Sequence, residues 1–165
     1  MRKHSGFETK KETGLAIIVI ILVAALTYLP LVFQLGYYYD DWFPIVSRVS
    51  GVSLFEMHSV DRPLMGVVYT LTSSLLGDSP LGWHILGFVL RLAGALVLLW
   101  MLRLLYPENR SAILVTTLLF LVYPGFLLQT NANNYSNHLL SLFLGIFSLA
   151  LSVYSFCLQR RILRW

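Results

Sequence analysis

From Leu15 to Leu35 the chain carries no charged residue, and three further apolar stretches follow it. A helix rises about 1.5 Å per residue, so such a run covers the roughly 30 Å hydrocarbon thickness of a bilayer. No polar face interrupts these stretches, as expected when lipid is the outer solvent. Composition agrees: 57% of residues are hydrophobic and 12% charged, and the mean hydropathy is +0.71. A soluble domain of this length needs a larger polar shell. A single cysteine, Cys157, excludes an intrachain disulfide.

The sequence predicts an all-α integral membrane protein with four transmembrane helices, over about 15–35, 81–106, 112–128 and 139–158. Residues 1–13 form a basic N-terminal segment with Arg2, Lys3, Lys10 and Lys11, and 159–165 a basic tail with Arg160, Arg161 and Arg164. The membrane domain between them covers 14–158. The first run is too long for a typical signal-peptide core, and Leu26-Thr27-Tyr28 is a poor cleavage site, so an uncleaved anchor is expected. Pro63 to Leu76 is too short for a crossing and opens with proline at a helix N1 position. An interfacial or re-entrant helix is expected there. Trp42 to Met57 places much of its apolar content on one helical face, interrupted by Gly51, and suits a helix lying on the membrane surface.

Lysine and arginine set the orientation. Four crossings put both basic ends and Arg103 and Arg110 on one side, leaving Arg48 and Arg62 on the other. Both termini are therefore expected in the cytoplasm, with the loop 36–80 and the Asn-rich segment Gln129–His138 outside, in a plasma membrane or an endoplasmic-reticulum-like one. The basic residues flank apolar runs and do not form a nucleic-acid surface.

The outer loop holds five of the eight acidic residues: Asp40, Asp41, Glu56, Asp61 and Asp78. The sequence Tyr37-Tyr38-Tyr39-Asp40-Asp41-Trp42 admits two readings. In one, the pair ends the span and the aromatics form an interfacial belt. In the other, a carboxylate is catalytic, with a divalent cation (Mg or Mn) shared by Asp40 and Asp41. Arg62, beside Asp61 and ahead of Pro63, would form an anion site at a helix start or a surface ion pair. Arg91 lies deep in the second long apolar stretch, with His84 seven residues earlier on nearly the same face. An arginine at that depth is costly unless it faces a protein interior or pairs. Gly87 and Gly94 share a related face suited to close helix approach. The amides of Gln129–His138 suit a sugar and are equally ordinary loop formers; Asn134-Tyr135-Ser136 matches a glycosylation sequon.

In order along the chain, Asp40-Asp41 after the first span, Arg62-Pro63-Leu64, Gly77, Pro80 and Trp83-His84 resemble the start of a C-type polytopic glycosyltransferase of the protein O-mannosyltransferase-like superfamily. The resemblance covers most of residues 15–158. It implies sugar transfer from a polyprenyl-phosphate donor to an acceptor hydroxyl on the external face, with inversion. Asp40 would be the general base and Asp41 its support or a metal ligand. Arginines would offset the phosphate charge; the residues themselves, and no motif of that superfamily, suggest Arg62 as a phosphate contact and His84 and Arg91 as further substrate contacts. Members of that superfamily have more spans, so the chain is expected to be a fragment or one part of a larger assembly with further membrane subunits. The alternative is a non-catalytic polytopic subunit or scaffold that uses Gly87 and Gly94 for helix contacts. A transporter built around Arg91 and His84 ranks below both, for want of an internal repeat.

Overall fold

A computed structural model describes residues 6–60, 62–123 and 130–162. The described residues form helices α1 (Gly6–Val32), α2 (Trp42–Val49), α3 (Leu54–His58), α4 (Pro63–Leu76), α5 (Pro80–Leu105), α6 (Arg110–Leu121) and α7 (Ala132–Ile162). A single 3-10 turn, Tyr39–Asp41, precedes α2. The fold is all-α. Among the described residues three helices are long and apolar enough to cross a membrane: Lys11–Val32, Pro80–Leu105 and Ala132–Gln159. Only 28% of the apolar window in each of the first two, and 11% in the third, is buried inside the chain. Apolar surface left outside on that scale is stable against lipid and unstable against water.

Several boundaries differ from those expected. The α6 helix ends at Leu121 and covers 12 residues, whereas a span over 112–128 was expected. Its C-cap is Val122, and Tyr123 precedes Pro124, a position where the proline ring disfavours helical backbone. Residues 124–128 of that expected span lie outside the described residues. At the other end of the apolar pattern, α7 begins at Ala132, so most of the Asn-rich segment expected as a loop is helical. The expected surface helix over 42–57 is divided into α2 and α3. Gly51 sits between them at φ +74°, a left-handed conformation that glycine adopts without a Cβ clash. At α4 Arg62 is the N-cap and Pro63 opens the helix, as proline at the N1 position predicts.

The chain divides into two units. The first comprises the described residues of Met1–Leu29, Arg91–Tyr123 and Phe143–Trp165. Ala16, Ile20, Ala24 and Tyr28 are buried every fourth residue along α1, and Ile113, Thr117 and Leu121 along α6. This spacing keeps one stripe of each helix inward. The Tyr28 hydroxyl donates to the Leu121 carbonyl oxygen. Arg103 donates to the Thr13 hydroxyl, and Arg110 pairs with Glu12.

The second unit comprises Pro30–Leu90 and the described residues of Pro124–Leu142. Its core is Leu54, Tyr69, Trp83 and Ala132, with Tyr37, Met65, Leu76 and Leu86 packed against it. The Trp83 indole N–H donates to the Gly77 carbonyl at 3.2 Å, and Arg48 pairs with Asp78. Two helices of this unit are inverted relative to a soluble protein. In α4, Gly66, Tyr69 and Ser73 are buried while Leu64, Val67, Leu71 and Leu75 are exposed. In α2, Pro44 and Ser47 are buried while Phe43, Val46 and Val49 are exposed.

Candidate functional site

The two adjacent aspartates have different surroundings. Tyr39 takes a positive φ of 49°, which is uncommon for a bulky residue and costs on the order of 1 kcal/mol. The chain then makes one 3-10 turn through Asp40 and Asp41 into α2. Asp40 is exposed, whereas Asp41 is fully buried.

The Asp41 carboxylate lies at the start of α7. Its Oδ1 accepts the backbone N–H of Asn134 at 2.9 Å, and its Oδ2 lies 3.5 Å from the Tyr38 backbone N–H. The first N–H groups of any helix have no partner within it, and the helix dipole favours negative charge there. Asp41 therefore caps α7 from a distant part of the chain. Burial raises its pKa above the ordinary carboxylate range, opposed by hydrogen bonds from the backbone of Asn134, Tyr38, Asn133 and Ala132. This cap explains why an Asn-rich segment of low helix propensity is helical here.

Asp40 instead lines a cavity of about 340 Å³ with Phe43, Pro44, Met57, His58, Arg62, Met65, Tyr69 and Asn134. The apolar members come from α2, α3 and α4, and the polar ones converge from four parts of the unit. His58, at the end of α3, stacks on Tyr69 with ring centroids 5.3 Å apart. Arg62 lies at the start of α4, with Nη1 3.8 Å from the Met65 sulfur. Tyr69 donates its hydroxyl proton to Asn134 Oδ1 at 2.9 Å. Burial raises the Tyr69 phenol well above its ordinary pKa, so it is a donor at physiological pH. Asn134 Nδ2 lies 3.5 Å from Asp40 Oδ2.

Of the residues singled out from sequence, Asp40 and Arg62 share this cavity, and Asp41 does not line it. His84 and Arg91 do not line it. His84 is buried, and its Nε2 donates to the Gly36 carbonyl at 3.0 Å. Arg91 is buried in the other unit, its guanidinium carbon 4.7 Å from the centre of the Tyr28 ring. Both placements suit roles in packing. Asp61 lies outside the described residues.

A cation shared by Asp40 and Asp41 does not fit this arrangement, because Asp41 directs its carboxylate at backbone N–H groups of α7 while only Asp40 lines the cavity. Among the described residues no three His, Cys, Asp or Glu side chains come together to hold a metal ion.

His58 and Tyr69 are not expected in the site from the sequence, whereas Asn134 belongs to the segment whose amides suit a sugar. One signal in the sequence marks Tyr69. Gly66, Tyr69 and Ser73 share one face at helical spacing, and Tyr69 is the only aromatic residue of Pro63–Leu76. The chain matches no family model, no curated protein and no solved structure.

Proposed function

We propose that this chain is a membrane glycosyl-transfer module that works on a polyprenyl-phosphate sugar at the external face of the bilayer, as one part of a larger enzyme. The observation that supports this most directly is the cavity where the Asp40 carboxylate and the Arg62 guanidinium share one lining. Inverting transfer needs a base for the acceptor hydroxyl and a positive group for the departing phosphate. In the proposed reaction, the acceptor oxygen bonds the anomeric carbon while its proton passes to Asp40. The anomeric C–O bond breaks on the opposite side, and its electron pair leaves on the phosphate. Arg62, with His58 beside it, offsets that charge. No step is assigned to a metal ion.

The topology proposed with it has four crossings, the third including α6 (Arg110–Leu121), both termini cytoplasmic, and residues 36–80 outside. The charge distribution of the sequence supports it. The exposed leucine and valine faces of α2 and α4 suit helices set in the interface between headgroups and hydrocarbon.

The scaffold alternative rested on Gly87 and Gly94, but these glycines face the chain itself. A Cβ on Gly87 would meet Leu139 Cδ1 at 3.6 Å, and one on Gly94 would meet Phe120 at 3.8 Å.

The test is transfer of radiolabel from polyprenyl-phosphate sugars to acceptor in membranes carrying Asp40→Asn. The variant is expected to insert at the wild-type level and to lose transfer. Retained transfer would remove Asp40 as the base.

A further inference from the structure

We propose that Asn134 is a positioning residue: its carboxamide, held by Tyr69 and by the backbone bond to Asp41, aims the Asp40 carboxylate into the cavity. The inference rests on the reading of Asp40 as a base and deepens it.

Asn134 joins three parts of the second unit. Its backbone N–H donates to Asp41 Oδ1 at 2.9 Å, which places the first turn of α7 against the 3-10 turn. Its Oδ1 accepts the Tyr69 hydroxyl proton at 2.9 Å. An amide has one acceptor end and one donor end. With the acceptor end taken by the Tyr69 hydroxyl, the NH₂ group is directed at Asp40 Oδ2, 3.5 Å away. The opposite orientation would set amide oxygen against carboxylate oxygen with no proton between them.

The 3.5 Å separation is at the outer limit of a hydrogen bond, and such contacts in catalytic sites commonly tighten when substrate enters. Asp40 is exposed, so little packing restrains its side chain. The other charged or titratable groups around it are Asp41 next in the chain, and His58, Arg62 and Tyr69 in the cavity lining. Among the described residues, Asn134 Nδ2 is the side-chain amide placed toward the Asp40 carboxylate.

Asn134→Ala removes the carboxamide, keeps the backbone N–H that binds Asp41, and introduces a better helix former, so α7 is retained. Loss of orientation at a base slows the chemical step more than it weakens substrate binding. Transfer by the full chain in membranes should fall about tenfold in kcat, with KM changed by less than about twofold. Tyr69→Phe should act in the same direction. The double variant should be no slower than Asn134→Ala, because both act through one contact.

A readout independent of turnover is the infrared difference spectrum of wild type against Asp40→Asn, which isolates the Asp40 carboxylate bands. Asn134→Ala should shift the antisymmetric stretch. An unshifted band, or additive losses in the double variant, would overturn the proposal. Retained transfer in Asp40→Asn would overturn the base reading instead, and the infrared result would still decide the Asn134 contact.

Discussion

Asp41 and Asn134, 93 residues apart in the chain, meet through a 2.9 Å hydrogen bond from the backbone N–H of Asn134 to the Asp41 carboxylate. The bond makes a buried acidic side chain the cap of α7, and it leaves the neighbouring Asp40 as the carboxylate of the cavity. The chemical difference between two adjacent aspartates thus comes from what each one faces.

Removing that cap should loosen the start of α7. Asp41→Ala is expected to cost about 1–2 kcal/mol, in line with loss of a helix cap, since the N–H groups of Ala132 to Asn134 lose their acceptor. Hydrogen exchange should accelerate at Ala132–Asn134 and leave the middle of α7 unchanged. Unaltered exchange there would show that the cap is not what holds this turn.

The same group sets a pH dependence. Burial raises the Asp41 pKa in the folded chain, so the folded state holds that proton at pH values where the unfolded state has released it. The sign follows from linkage: this contribution to stability is complete below the ordinary carboxylate pKa and is lost as pH rises through the folded value. Thermal unfolding in detergent should therefore show wild type losing stability relative to Asp41→Asn as pH is raised from about 3 across this window. A difference that grows in the opposite direction would refute the assignment.

Gly66 is required by close approach. A Cβ there would lie 3.0 Å from Phe55 Cα and 3.2 Å from the Leu54 and Phe55 carbonyl oxygens. These are backbone atoms, so α3 must move away from α4. Alanine would gain about 1 kcal/mol of helix propensity, against about 1–3 kcal/mol for overpacking. Gly66→Ala should lower the unfolding temperature, and it should also weaken the effect of His58 substitutions by displacing α3 from the cavity.

In the other unit, Tyr28 has two separable roles. Tyr28→Phe removes the hydroxyl that donates to the Leu121 carbonyl and should cost about 1–3 kcal/mol for a buried acceptor left unsatisfied. Tyr28→Leu should cost about a further 0.5–2 kcal/mol, because the ring under the Arg91 guanidinium is lost as well. Equal stability of the two variants would assign no weight to the Arg91–Tyr28 contact.

Much of the helical framework is legible in the residue pattern. The uncharged run from Leu15, the apolar stretch after Pro80 and the one ending near Leu158 appear as α1, α5 and α7 because helix formation over such lengths depends on local composition. Pro63 at the start of α4 and the break at Gly51 are equally local. The early start of α7 is not local: Asn133 and Asn134 are weak helix formers, and the group that compensates comes from Asp41.

The cavity is less legible for the same reason. Asp40 and Arg62 stand out by type, but His58, Tyr69 and Asn134 are ordinary residues until folding brings them together. Arg91 and His84, one turn-pair apart on a helix, suggest a joint role by spacing alone, yet each has a separate partner, Tyr28 and Gly36. By itself the sequence determined an all-α chain with long apolar helices, because hydrophobic run length and helix-breaking residues act over neighbouring positions. Only the tertiary structure decided which aspartate faces the cavity and which caps α7, because that depends on hydrogen-bond donors brought from the far end of the chain.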